Sequence, residues 1–397
     1  MEDDVSDLAM KCRQVPLGEA VRALLLAACT AVTGCQVVDL GDGVSPSGRA
    51  SATAISNSTY GGGPVVVSML LPTDASMRTK AVDIADGARL ALDDLGAGQL
   101  RINFHAVDPR TDDSVNVVRA AAASGTKLII GPATNEEVVR IMAGAPVPRP
   151  PVLALVPNNS SGGVHIWPLY GDAVDSALEG VGVAIAAKQK NIVVVHEAGF
   201  SPENLIRLRE GIRTKGGTTV GFVPYPPSGE NLRASFASSA AVFSKANVIV
   251  LLGGGEAIGQ VIDLFAAGEF GKSITTGIAT SLLPKEIYKR PSAQGLMVAI
   301  PSTANVNVIS GRFKARFGRE PSYDAAIGYD AVAVAAGLVR SGGPDAITVN
   351  ALTSAQGFRA ATGLFRFQPD GRIDRRMIVH RIDNGSLEII QEEGDGF

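Results

Sequence analysis

Several short loops carry residue types that can hold a small solute. Gly131-Pro132-Ala133-Thr134-Asn135 follows an apolar run and leads into a helical-period segment. Free N–H groups at such a helix start can hold a carboxylate or another anion. Thr134-Asn135-Glu136-Glu137 also reads as a capping box, with Thr134 at the N-cap and Glu137 three residues on. Pro157-Asn158-Asn159-Ser160 follows the next apolar run, where an asparagine can serve a ligand or close an Asx-turn. The stretches 72–78, 197–201, 253–256 and 277–281 also follow apolar runs. They add Phe200, Thr280 and Glu256, the last at a helix start where an acid complements the dipole.

Catalytic and cofactor patterns stop short. Gly253-Gly254-Gly255 with Gly259 approaches a dinucleotide fingerprint, but G-x-G-x-x-G needs glycine where Ile258 stands. The stretch 268–273, GEFGKS, nearly mimics a phosphate-binding loop, yet its first glycine would fall on Ala266 and no strand immediately precedes it. His105, His165, His196 and His380 form no H-E-x-x-H and no i, i+4 pair. No G-x-S-x-G elbow is present. The expectation is a non-enzymatic binding protein with no cofactor and no metal. His196 falls at a strand end, as a ligand contact or as support for one. Trp167 lies near a crossover, lining a cleft or packing a hinge.

The loops are positioned by alternating elements. Apolar strands are expected at 65–71, 100–107, 128–130, 152–156, 192–196, 219–223, 248–252 and 296–300. Helical periods fall at 80–95, 113–123, 136–143, 202–215, 232–243, 256–267, 306–317 and 323–340. Continuous apolar strands separated by helices mean parallel sheets buried on both faces. The fold class is therefore α/β, two doubly wound parallel-sheet lobes, because the first set of repeats ends near Tyr170 and a second begins. The tail, 365–367, 377–382 and 387–390, alternates like edge or antiparallel strand. Ligands of open parallel sheets bind beyond the carboxyl ends of the strands, where all the loops above lie.

Composition limits the partners. A net charge of −3 over 397 residues argues against nucleic acid. The cysteines are Cys12, Cys29 and Cys35, so nothing after position 35 can form a disulfide or bind metal through thiolate. An apolar run of about a dozen residues, too short to span a bilayer, closes on Val32-Thr33-Gly34-Cys35. Basic Lys11, Arg13 and Arg22 precede it, as in a signal peptide. The run resembles a bacterial lipobox. That implies a signal over 1–35, lipidation of Cys35 (Cys29 is a second candidate) and a membrane anchor in the periplasm. Gln36, where inner-membrane lipoproteins carry aspartate, points to the outer membrane. Residues 36–63 are rich in Ser, Gly, Thr and Ala, and read as a flexible tether of roughly 30 Å r.m.s. span.

From Val65 to Ile390 the chain resembles the Leu/Ile/Val-type periplasmic solute-binding proteins. The carriers are Ala85-Asp86-Gly87-Ala88, Asp108-Pro109, Leu128-Ile129-Ile130-Gly131-Pro132, Arg319-Glu320-Pro321-Ser322, Gly328-Tyr329-Asp330-Ala331 and Thr362-Gly363-Leu364-Phe365-Arg366-Phe367 before Pro369-Asp370-Gly371. The resemblance implies a backbone that crosses between lobes three times. One lobe would hold 64–170 with 302–376, the other 171–301 with 377–397. It implies ligand contacts from Thr134 or Asn135, and from Asn158 and Ser160. It places Phe200 where amino-acid binders carry a tyrosine, and the three glycines 253–255 where they carry an aromatic. Thr280 and its neighbours stand where those proteins carry an acid for the ligand's ammonium, so a standard α-amino acid would lack its acidic partner there. The implied partners are a small polar ligand and an ABC transporter permease. The Thr362–Gly371 stretch is also similar to lipoproteins that activate penicillin-binding proteins, which implies a peptidoglycan synthase as the alternative partner.

Overall fold

The computed structural model describes residues 55–158, 163–303 and 305–397. The expected leader with Cys29 and Cys35, and the candidate hydroxyl of Ser160, lie outside the described residues.

Six strands form the first sheet: β1 (Ser58–Tyr60), β2 (Val65–Pro72), β3 (Leu100–Val107), β4 (Leu128–Ile130), β5 (Val152–Pro157) and β6 (Ile166–Tyr170). Their order is β1-β3-β2-β4-β5-β6, parallel throughout except β1 against β3. The helices α1 (Arg78–Ala91), α2 (Asp113–Ala123) and α3 (Asn135–Gly144) alternate with these strands. They cover the two faces differently. Val67, Met69 and Leu71 of β2 join the core beneath α1, while Leu70 joins the core beneath α2 and α3. β1 shortens the expected tether. Three residues are too few for a periodicity signal, but their edge pairing is reinforced by Tyr60, whose hydroxyl donates to Asp93 at 2.7 Å.

The chain then passes to a second sheet through α4 (Ala173–Ala186). Its elements are β7 (Asn191–Glu197), α5 (Pro202–Thr214), β8 (Thr218–Tyr225), α6 (Leu232–Ala237), α7 (Ala240–Phe243), β9 (Val248–Leu252), α8 (Gly255–Ala266), β10 (Thr276–Ala279) and β11 (Met297–Ile300). The single helix expected over 232–243 is two short ones. Ser238 and Ser239 interrupt it, and Ser238 donates to the Ser235 carbonyl at 2.8 Å, a local bond that competes with helix propagation. Val193 and Val195 of β7 enter one core and Val194 the other, the period-two signature of a strand buried on both faces.

After β11 the chain returns. α9 (Val306–Phe317), α10 (Tyr323–Gly342) and α11 (Val349–Leu352) complete the first core. A small antiparallel sheet follows, β12 (Phe358–Ala360), β13 (Gly363–Phe367) and β14 (Ile373–Arg375), with Phe365, Phe367 and Ile373 in the same core. A last pass carries β15 (Ile378–Asp383) and β16 (Ser386–Gln391) to the second sheet, ordered β16-β15-β11-β10-β9-β7-β8. Among the described residues no helix is long and apolar enough to cross a membrane.

α1 and α10 touch backbone to backbone. A Cβ built on Gly87 would lie 1.8 Å from the Ala325 carbonyl oxygen, and one on Gly328 would lie 2.1 Å from that of Ile84. No rotamer relieves a clash with backbone, so larger residues must push the helices apart. Gly328→Val is expected to cost ~3 kcal/mol, the upper end for overpacking. A urea denaturation midpoint equal to that of the native chain would refute the close approach.

Candidate functional site

The carboxyl ends of the two sheets meet through the first turns of α4. Asp172 caps that helix, its carboxylate accepting from the Val174 and Asp175 N–H groups. One turn in, the Ser176 hydroxyl donates to the Ala299 carbonyl at 2.6 Å and accepts from the Ser281 N–H at 3.0 Å, both at strand ends of the second sheet. Asp175 accepts from Asn158 Nδ2, at the end of the first sheet, at 3.0 Å. Asn158 is 1 % exposed and also pairs with the Ile373 backbone, donating to its carbonyl at 2.8 Å. The Asn158 side chain is thus committed to joining β5, β14 and α4.

The other predicted residues divide similarly. Thr134 is the N-cap of α3: its hydroxyl accepts from the Glu137 N–H at 3.3 Å and donates to the Glu137 carboxylate at 2.9 Å. Glu137, fully buried, takes a further bond from the Ser114 hydroxyl. The capping reading of this motif therefore holds, with the return bond running to the hydroxyl. Asn135 keeps its Oδ1 buried with no hydrogen-bond partner. Phe200 packs against His196, ring centroids 6.5 Å apart, on the core that β7 shares with α4 and α5. His196 itself lies between Phe200 and Phe222, its Nδ1 3.0 Å from the Glu197 carbonyl. Glu256 is drawn outward to an ion pair with Arg290. Thr280 is 1 % exposed and closes the turn after β10, its carbonyl accepting from the Leu283 N–H. Trp167 is fully buried and donates to the Gln368 carbonyl at 2.7 Å, so it packs the crossing.

Two further groups lie near the strand ends: Lys80, outside the loops named from the sequence, and Glu197, within one of them but not singled out there. Lys80, in the first turn of α1, places its ammonium 4.5 Å from the centre of the Tyr170 ring and 3.4 Å from the Leu155 carbonyl. The Leu155 N–H in turn donates to the Pro132 carbonyl at 2.7 Å, which puts Lys80 beside the loop that opens α3. Burial lowers the ammonium's pKa, and the Asp324 charge opposes that shift. Asp324 is itself taken by the Tyr170 hydroxyl at 2.5 Å, and among the described residues Lys80 forms no ion pair. Opposite in sign is Glu197, the last residue of β7, whose carboxylate also forms no ion pair among the described residues. Beside it stands Tyr225, its hydroxyl pKa raised by burial and by the Glu197 charge. The glycine at 253 has a reason here: its missing Cβ would lie 1.8 Å from the Tyr225 oxygen. A tyrosine from β8 thus fills the space beside the glycine loop. Neither Lys80 nor Glu197 belongs to a motif, and that neither forms an ion pair among the described residues is invisible before folding.

Behind these groups lies a charged buried centre. Asp330 of α10 is fully buried and accepts from the Ala361 and Thr362 N–H groups at 2.7 and 2.9 Å, and from the Thr362 hydroxyl. Burial pushes its carboxyl up to about 6, against the pull of Thr362 and Arg375. Arg375, 3 % exposed, donates to Thr362 and twice to the Leu169 carbonyl. Among the described residues no group of three His, Cys, Asp or Glu side chains is placed to hold a metal.

Residues 64–386 match the family described as periplasmic binding protein. None of the curated proteins matches the chain. Solved structures match it over most of their length. One, from Rhodospirillum rubrum and assigned to branched-chain amino acid ABC transport, has a TM-score of 0.65 at 16% identity, covering 82% of this chain and 99% of that one. A branched-chain amino acid ABC transporter periplasmic ligand-binding protein from Burkholderia xenovorans gives 0.58 at 17%, covering 82% and 94%. An ABC transporter substrate-binding protein from Desulfitobacterium hafniense, in complex with Leu, gives 0.54 at 16%, covering 82% and 99%. At such identities the likeness is one of fold.

Proposed function

The chain belongs to the periplasmic binding protein family, and from that premise we propose that it is a non-catalytic receptor that captures a small polar, amino-acid-like solute for an ABC transporter. One observation carries this reading. Two charges of opposite sign, Lys80 and Glu197, stand at the carboxyl ends of the two parallel sheets without ion-pair partners among the described residues. A half-buried charge with no opposite charge to pair with costs stability, so its retention needs another use. A solute carboxylate toward Lys80 and an ammonium or other donor toward Glu197 would pair both. The acid absent near Thr280 is then supplied from β7, with the Tyr225 hydroxyl beside it. The lobes are 64–170 with 302–376 and 171–301 with 377–397, closing over the solute as a hinge. Location is the periplasm, with a lipid at Cys35 as the tether and Gln36 favouring the outer membrane.

The test is a thermal-unfolding panel of amino acids, amides, sugars and carboxylates. A true ligand at ~100 Kd should add about 2.7 kcal/mol of stability. Lys80→Met and Glu197→Gln should each abolish the shift while leaving the ligand-free protein folded. A panel with no stabilising solute, or one whose hit is indifferent to both substitutions, would overturn the assignment.

A further inference from the structure

The segment after β16 packs beside the bonds that join the two sheets. After β16 the chain leaves the second sheet as Glu392-Glu393-Gly394-Asp395-Gly396-Phe397 and runs onto the small sheet of β12, β13 and β14. There the Glu393 carboxylate accepts from the Leu364 N–H, and Arg376 Nε donates to the Gly396 carbonyl at 2.9 Å. The Phe397 ring is 4.5 Å from the Arg366 guanidinium and 5.6 Å from that of Arg376. Asp395 lies 3.6 Å from Arg359. The seat is shaped for this segment, because a Cβ on Gly363 would lie 2.7 Å from the Glu393 carboxylate. Charge adds one pair, Asp395 with Arg359, while Arg366 and Arg376 pair with Asp374 and Glu179 and present their guanidinium faces to the Phe397 ring.

Phe397 also walls a cavity of about 490 Å³ that reaches Asn158, Asp175 and Arg207, the bonds joining the two sheets. The segment starts on the second sheet and ends on strands whose other face belongs to the first core. We propose that the face of β13, Arg366 and Arg376 is a docking groove for a peptide that carries an acidic residue and an aromatic ring, that residues 392–397 occupy it in cis, and that this occupancy shields the hinge bonds. It is a noncovalent fourth link beside the three backbone crossings. It is independent of which solute the cleft takes, and it stands or falls separately from the transport reading.

Hydrogen–deuterium exchange on the full chain tests it. Replacing both Glu393 and Phe397 by Ala should speed exchange of the Leu364 amide and of amides 172–176 by about tenfold or more, as local opening becomes cheaper. A synthetic peptide of residues 392–397 added in trans should restore protection. The groove variant Arg366→Ala/Arg376→Ala should show the same fast exchange with no rescue. Unchanged exchange in the tail variant, or fast exchange that the peptide fails to reverse, would overturn the proposal.

Discussion

Asp330→Ala should be among the most damaging single substitutions in this protein, at about 3–5 kcal/mol. The carboxylate has no solvent contact and accepts from two backbone N–H groups and a hydroxyl on the bend that leads into β13. Truncation leaves those donors without acceptors in a site that water does not reach, at ~1–3 kcal/mol each where no relaxation occurs. It also strips the nearby negative charge from Arg375, which is 3 % exposed and holds the Leu169 carbonyl at the end of β6. The damage therefore spreads from α10 to the crossing. Thermal unfolding should fall by roughly 4–7 °C for a chain of this size. Asp330→Asn should cost less, since one oxygen still accepts. A fall of under ~1 kcal/mol for the Ala variant would mean that the bend repacks and that Asp330 does not organise it.

Most of the fold was legible because its strands are continuous apolar runs. β3, α2, β4, β9 and α9 fall at the residues where periodicity puts them. The elements that were missed have physical reasons. β6 reads IWPLY, with a proline and no alternation, and it exists because Trp167 is anchored to Gln368, some two hundred positions on. β10 reads TGIA, too short and too weakly apolar to stand out, and is a strand because β9 and β11 flank it. The residues that carried the family resemblance turn out to be largely structural. Gly87 and Gly328 are the closest approach of α1 to α10, Asp330 organises the bend before β13, and Gly363 makes room for Glu393. Of the candidate site, the sequence made only the proposed location legible. Loops at the carboxyl ends of strands could be named, but a residue's type does not say whether folding has already used its hydrogen bonds. Asn158 and Thr134 were used; Lys80 and Glu197, in no motif, form no ion pair among the described residues.

Arg207→Met should weaken the protein in a strongly pH-dependent way, which separates electrostatics from packing. Arg207 donates to both Asp172 and Asp175, and the three side chains are only 13, 12 and 9% exposed. Burial raises the Asp175 pKa, the Asp172 charge raises it further, and Arg207 opposes both. Methionine preserves much of the volume and removes that opposition, so two buried carboxylates are left facing each other. The folded-state pKa of Asp175 then lies further above the unfolded ~3.9. A raised carboxyl pKa means that folding takes up protons, so stability is fully present below pH ~4 and is lost as pH rises through the folded value. The variant should consequently lose about 3–5 kcal/mol at pH 8, where Asp175 must ionise, and distinctly less at pH 5, where it can stay protonated. Urea denaturation midpoints of both proteins at the two pH values measure this directly. A loss of equal size at pH 5 and pH 8 would show that Arg207 acts through packing against α4, and that the carboxylates it bridges do not depend on its charge. The pH-dependent outcome would place the electrostatic balance of the hinge in one arginine, at the point where Asn158 ties the end of the first sheet to the helix that opens the second lobe.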